Sequence, residues 1–170
     1  MKIFLNPGHC IGQDPGACGF GLQEAEVAMN IAKLTAYYLN LIHYDTNIYS
    51  FDGLAEIVDV ANYWDPDVFV SIHCNAFDGN ARGTETFYSY DDGQFLAECI
   101  QHRIINAVPT LDRGVSPAQF YVTKNSLAPA CLVETAFIDN FLDNQLLSNY
   151  QEQFARAIAC GITDFFVYND

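Results

Sequence analysis

The chain has 170 residues and half of them are apolar, enough for one domain with a sizeable core. Only 7 Lys and Arg stand against 21 Asp and Glu, giving a net charge of −14, and a chain so poor in cations is not built to neutralise a nucleic-acid backbone. No stretch of eighteen or more uncharged apolar residues occurs, so no membrane span is expected.

Residues 2–5 form a short apolar run that predicts a buried strand, broken at Asn6-Pro7-Gly8. Residues 6–22, rich in Gly, Pro, Asn, Asp and Cys, predict a loop longer than a compact domain keeps without a purpose. From residue 24 to about 41, Val27, Ile31, Leu34 and Tyr38 fall at helical spacing. "NIYSF" (47–51) is a candidate strand, and "LAEIVDVANYW" (54–64) a second helix. "DVFVSIHCN" (67–75) is an apolar strand bounded by Asp65-Pro66-Asp67 and Asn75. "GTETFYSY" (83–90) alternates with period two, and 93–108 is helical up to Pro109. "AQFYVTK" (118–124) and "ACLVETAFI" (130–138) are expected as strands, and 142–167 as one or two helices.

Strands alternating with helices predict a single α/β domain, its mostly parallel or mixed twisted sheet of about five to six strands covered by helices on both faces. No linker or repeat interrupts residues 1–170, so one catalytic domain without a separate wall-binding module is expected. The N-terminus lacks the long apolar segment and cleavage site of a secretory signal. Six scattered cysteines, none in a CxxC pair, read as mostly free thiols, with a Cys10–Cys18 bridge left open because both flank one loop.

Three polar residues fall at predicted strand ends, where α/β folds place their ligands. His9 follows the first strand, His73 ends "VFVSIH" and Glu134 ends "ACLVE". A carboxylate ending a buried strand needs a cation or donors to compensate its lost solvation. Glu24, opening the first helix, suits the helix dipole and by itself says little more. As a set they have the composition of a hydrolytic zinc site: two imidazoles and a carboxylate as ligands, and a further Glu to move protons. Cys10 and Cys74 are alternative ligands, although strand alternation turns Cys74 away if His73 faces the metal. Nucleophile-elbow, phosphate-loop, dinucleotide and HExxH motifs are all missing.

The ordered fragments "NPGHC", "DPGACG", "GLQEAEVAMNIA", "DVFVSIHCNA", "GTETFY" and "FYVTKNSLAPACLVETAFIDN" resemble the zinc-dependent N-acetylmuramoyl-L-alanine amidases of the amidase-3 type, the catalytic domains of bacterial autolysins and phage endolysins. The resemblance runs from the first strand to the last helix. It implies Zn2+ held by His9, Glu24 and His73, with Glu134 as the catalytic acid–base residue. It implies peptidoglycan as substrate, cut at the amide between N-acetylmuramic acid and L-alanine, and action at the bacterial cell wall. With no visible signal, that means cytoplasmic synthesis followed by lysis or another export route, or a leader already trimmed. The same ligand set suits a zinc carboxypeptidase or endopeptidase on peptidoglycan peptides. A non-catalytic wall-binding homologue is expected to have lost one of the four residues, and all four are present.

Several positions depart from the family pattern. Asn6 stands where an Asp commonly begins the first motif; if that Asp orients the histidine from behind, an amide does so less strongly. Cys10 replaces a Gly. Glu56 and Asp59 occupy a helix that often carries Arg, and a Thr-Arg pair is missing near "NIYSFDG". These changes spare the expected ligands and bear on substrate contacts. Among the few cations, Arg82, Arg113 and Lys124 are candidates for a stem-peptide carboxylate, though each alone reads as a solvated surface charge.

Overall fold

The computed structural model describes residues 1–168. In chain order the elements are β1 (Lys2–Pro7), β2 (Cys18–Gly19), β3 (Leu22–Gln23), α1 (Glu24–Leu41), β4 (Asp45–Ile48), α2 (Leu54–Trp64), β5 (Val68–Asn75), β6 (Thr84–Tyr88), α3 (Asp91–Ala107), β7 (Asp112–Pro117), α4 (Tyr121–Asn125), β8 (Ala130–Phe137), α5 (Phe141–Asn149) and α6 (Gln151–Tyr168). Six strands form one mixed sheet in the order β4-β1-β5-β8-β6-β7. β4, β1, β5 and β8 run parallel. β6 pairs antiparallel with β8 and parallel with β7. The expected α/β sheet of five to six strands is therefore present, with one reversal.

Alternate residues of the central strands go to opposite faces. Ile3, Leu5, Val68, Val70, Ile72, Cys131 and Val133 pack under α1, α3 and α6 in the larger core. Phe4, Phe69 and Ala130 pack under α2 and α4, through Ile57, Val58, Ala61 and Val122. Phe4 and Phe69 stack at 5.4 Å between ring centroids, tying β1 to β5 on that second face. The smaller core stops short of the carboxyl ends of β1, β5 and β8. The face it leaves open there holds the polar strand-end residues.

Two expectations fail. Residues 118–124 are not a strand: Tyr121–Asn125 form the short helix α4. Phe120 and Val122, two apart, imitate strand alternation, but Phe120 packs edge-on against Phe87 while Val122 enters the second core from a helical turn. The edge strand lies just upstream instead, as β7, in a segment that looks like a loop. β7 pairs on one side only, is mostly exposed and carries a bulge at Arg113, where Thr84 faces Asp112 and Glu85 faces Gly114. "NIYSF" contributes only its first residues to β4, which begins at Asp45; Tyr49 packs against the second core and Phe51 lines the open face. Residues 142–167 are two helices, α5 and α6.

Asp143, fully buried on α5, organises the chain at the open end of the sheet. Its Oδ2 accepts the backbone N–H groups of Gly83 (2.7 Å) and Phe137 (3.0 Å). Its Oδ1 faces Arg82 Nε at 3.9 Å. Asp143→Ala strands those buried donors, and urea denaturation is expected to show a loss of about 2–4 kcal/mol.

Candidate metal centre and active site

β1 ends at Pro7, and the next two residues turn across the sheet end. Gly8 is glycine because of crowding: a Cβ there would lie 2.3–2.6 Å from the imidazole of His73. His9 then adopts a left-handed backbone (φ 61°), uncommon for a residue with a side chain and a form of strain found at functional sites. The long loop doubles back through a bridge between Cys10 and Asp14. Gly16 (φ +67°) passes so close that a Cβ would sit 2.5 Å from His9 and 2.7 Å from the Glu24 carboxylate. The β2–β3 hairpin then delivers the chain to the start of α1 at Glu24.

Three of the expected residues converge. Glu24, 3% exposed, presents Oε2 to His9 Nε2 at 3.1 Å and Oε1 to His73 Nδ1 at 2.9 Å. Backbone N–H groups of Ala17 (2.9 Å) and Cys74 (3.1 Å) also donate to this carboxylate. One donor atom from each of His9, Glu24 and His73 lies within 4.8 Å of the others, a group able to hold a metal ion. Tetrahedral zinc with bonds of about 2.0–2.2 Å separates its ligand atoms by roughly 3.4 Å, so the cluster fits such an ion in donor type and scale.

The fourth residue stands beside them. Glu134 on β8 is the register partner of His73 on β5, so both side chains rise from the same face of the sheet. Its Oε2 is shielded from solvent and has no hydrogen-bond partner among the described residues. On the other flank, reversed β6 places Glu85 opposite Glu134. Glu85 Oε1 accepts from Asn75 Nδ2 at 2.8 Å and lies 3.2 Å from Arg113 Nε.

The electrostatics follow from these contacts. The hydrogen bond to Glu24, opposed by burial and reinforced by Asp14, pushes the His9 imidazole up to about 9. Burial acts to raise Glu24, but the hydrogen bonds from His73 and His9 outweigh it and hold the carboxyl below its usual range. For Glu134 burial wins and pushes it up to about 7, His73 offsetting part of that and Glu24 and Glu85 adding to it.

Asp14, in the fragment "DPGACG", accepts from His9 Nδ1 at 2.6 Å. Asn6 does not orient the histidine: its Nδ2 donates to the Tyr49 carbonyl at 3.0 Å and its Oδ1 accepts from Ser71 Oγ at 2.8 Å, joining β1 to β5. A carboxylate five residues after the histidine, in a turn rich in Gly and Pro, was the available signal. Cys74 faces the larger core beside Thr135, its thiol pushed up by burial, and all six cysteines are free, so no Cys10–Cys18 bridge forms. Glu26 is exposed on α1, away from the cluster. Beside the cluster a cavity of about 370 Å³ is walled by Phe51, Leu54, Ile57, Phe120 and Tyr121.

An α/β domain with a His–Glu–His donor set and a separate near-neutral carboxyl has the makeup of a metal-dependent hydrolase. The chain belongs to the amidase-3 family: the family model for N-acetylmuramoyl-L-alanine amidase matches residues 3–164. It is 41% identical to N-acetylmuramoyl-L-alanine amidase LytC of Bacillus subtilis, over 96% of this chain and 35% of that protein. It is 36% identical to the sporulation-specific N-acetylmuramoyl-L-alanine amidase of the same organism, over 98% of this chain and 68% of the relative. The chain thus spans about a third of LytC's length. The solved N-acetylmuramoyl-L-alanine amidase AmiC2 of Nostoc punctiforme superposes with a TM-score of 0.93 at 34% identity, covering 98% of this chain and 97% of the other.

Glu134 gives a pH dependence of stability in the metal-free protein. Below its ordinary value of 4.5 the group is protonated both folded and unfolded and contributes nothing. As pH rises from there to about 7, the unfolded chain sheds the proton while the folded one retains it, so folding loses free energy, about 3 kcal/mol once above 7. Metal-free Glu134→Gln should therefore match the wild type near pH 4 and exceed it in thermal stability at pH 8.

Proposed function

We propose that this chain hydrolyses the amide between N-acetylmuramic acid and L-alanine in peptidoglycan, with His9, Glu24 and His73 holding Zn2+ and Glu134 carrying the proton. The observation that carries this is the convergence of the three donors beside an unpartnered, near-neutral Glu134, in a chain of the amidase family. When bound, the zinc supplies a Lewis acid that polarises the amide carbonyl and acidifies water.

The protein's own residues do the rest. Glu24 stands between the two imidazoles with one carboxylate oxygen toward each, so that the three donors face one point. Asp14 accepts the Nδ1–H of His9, which sets the tautomer and leaves Nε2 facing the centre. Glu134 takes a proton from the attacking water and returns it to the nitrogen of the departing L-alanine. Burial raises the proton affinity of Glu134 above that of an ordinary carboxylate, which favours taking a proton from water. Action on peptidoglycan places the working site at the cell wall.

Digestion of purified peptidoglycan, with mass analysis of the products, tests the reading. Free muramic lactyl groups and peptides beginning with L-alanine are expected, and a chelator should suppress both. Glu134→Gln should retain zinc yet lose at least about a hundredfold in turnover; near-wild-type turnover would remove Glu134 from its role. Release of single amino acids or cut cross-links, with the muramoyl amide intact, would instead mean a peptidase. Asp14→Asn is expected to weaken zinc binding by about 10–100-fold, measured by competition with a chromophoric chelator.

A further inference from the structure

In the muramoyl–alanine linkage the lactyl carboxyl is consumed by the amide, so the sugar side of the scissile bond is uncharged. The stem peptide on the other side carries carboxylates. The open face of the sheet divides in the same sense. Between the β4–α2 connection and α4, the cavity walled by Phe51, Leu54, Phe120 and Tyr121 is lined by no Lys or Arg, and its charged groups beyond the two histidines are Asp14 and Asp52. On the β6 side stands a cation, Arg113.

Arg113 belongs to the bulge of edge strand β7, yet its side chain crosses β6. Nε lies 3.2 Å from Glu85 Oε1, and Cζ lies 5.0 Å from the ring centroid of Phe137, three residues past Glu134 on β8. The ion pair and the aromatic ring hold the guanidinium plane over the lip of the site. They engage Nε and the ring face, and the terminal Nη fork has no hydrogen-bond partner among the described residues, in a side chain 39% exposed. That fork is the part of an arginine that matches a carboxylate in bidentate fashion. Of the other six cations, Arg82 turns to buried Asp143, Arg103 to Asp164 and Lys2 to the carbonyls of Trp64 and Asp65, while Lys33, Lys124 and Arg156 are exposed on α1, α4 and α6. The lengths agree: two residues of extended peptide span about 7 Å, and β7 lies two strand spacings, about 10 Å, from β8, a gap the arginine side chain partly closes.

Taking the amidase reading as given, we propose that Arg113 is a specificity-determining residue that pairs with a carboxylate of the stem peptide, so that the peptide extends toward β6 and β7 while the uncharged glycan lies over the Phe51–Tyr121 cavity. The test uses two disaccharide muramoyl-L-alanyl peptides, both amidated at the C-terminus, whose second residue carries either a free carboxylate or a carboxamide. The wild type should favour the carboxylate form through KM. Arg113→Gln should raise KM for that form about ten- to hundredfold, leaving kcat and the carboxamide form within about twofold. Arg113→Lys, which keeps the charge, should keep part of the preference. Equal losses on both peptides, or a wild type indifferent to the carboxylate, would overturn the proposal and leave the amidase reading standing. A wild type that cleaves neither peptide would overturn both.

Discussion

A carboxylate held between two imidazoles is the contact on which this molecule's working end depends. Glu24 opens α1, His9 follows β1 and His73 ends β5, three segments that only the finished tertiary structure brings together. A charge this deep is tolerated because every direction around it is answered, by His9, His73 and the amides of Ala17 and Cys74. The loop from Gly8 to Gln23, otherwise expensive in chain entropy, is fixed by closing onto that group. The positive φ of His9 is the local cost of the arrangement.

The sheet's single reversal shapes the neighbourhood. With β4, β1, β5 and β8 parallel, their carboxyl ends gather at one edge of the domain, where α/β proteins place ligands. Because β6 runs the other way, it is the start of that strand, Glu85, that arrives there. The row across the sheet is then His73, Glu134, Glu85, with Arg113 leaning in from the far edge. One flank of the site is thus charged and the other apolar, in a protein whose overall charge of −14 would otherwise repel anionic ligands everywhere.

Much of this was legible in the sequence, for definite reasons. Helix α1 shows itself through Val27, Ile31, Leu34 and Tyr38 at helical spacing, and β5 and β8 through apolar runs that end in a polar residue. His9, His73 and Glu134 show themselves because imidazoles and carboxylates closing or following buried segments need partners, whereas Glu24, opening a helix, is picked out only by the resemblance to the amidase family. β7 did not stand out: its residues are mostly exposed, it includes Gly114 and Pro117, and it owes its strand form to pairing with β6 alone. Residues 118–124 read as a strand because Phe120, packed edge-on against Phe87 yet still exposed, and buried Val122 keep a spacing of two. Asp14 was hidden for another reason: an aspartate in a Gly- and Pro-rich turn is ordinary, and only the doubling back of the loop shows that it meets His9. The reach of Arg113 across β6 likewise depends on a bulge that local sequence does not announce.

Gly8 and Gly16 have a consequence for how this domain can change over time. Neither position has room for a single methyl group, because the space is filled by His73 at one and by His9 and Glu24 at the other. Drift in the inner loop is therefore closed off at its first step, whatever the advantage of a new side chain. Phe51, Asp52 and Leu54 form an exposed rim where a changed side chain meets solvent rather than the ligand cluster. Diversification among descendants of this sequence should accordingly accumulate in the rim, with the inner loop handed down nearly unaltered.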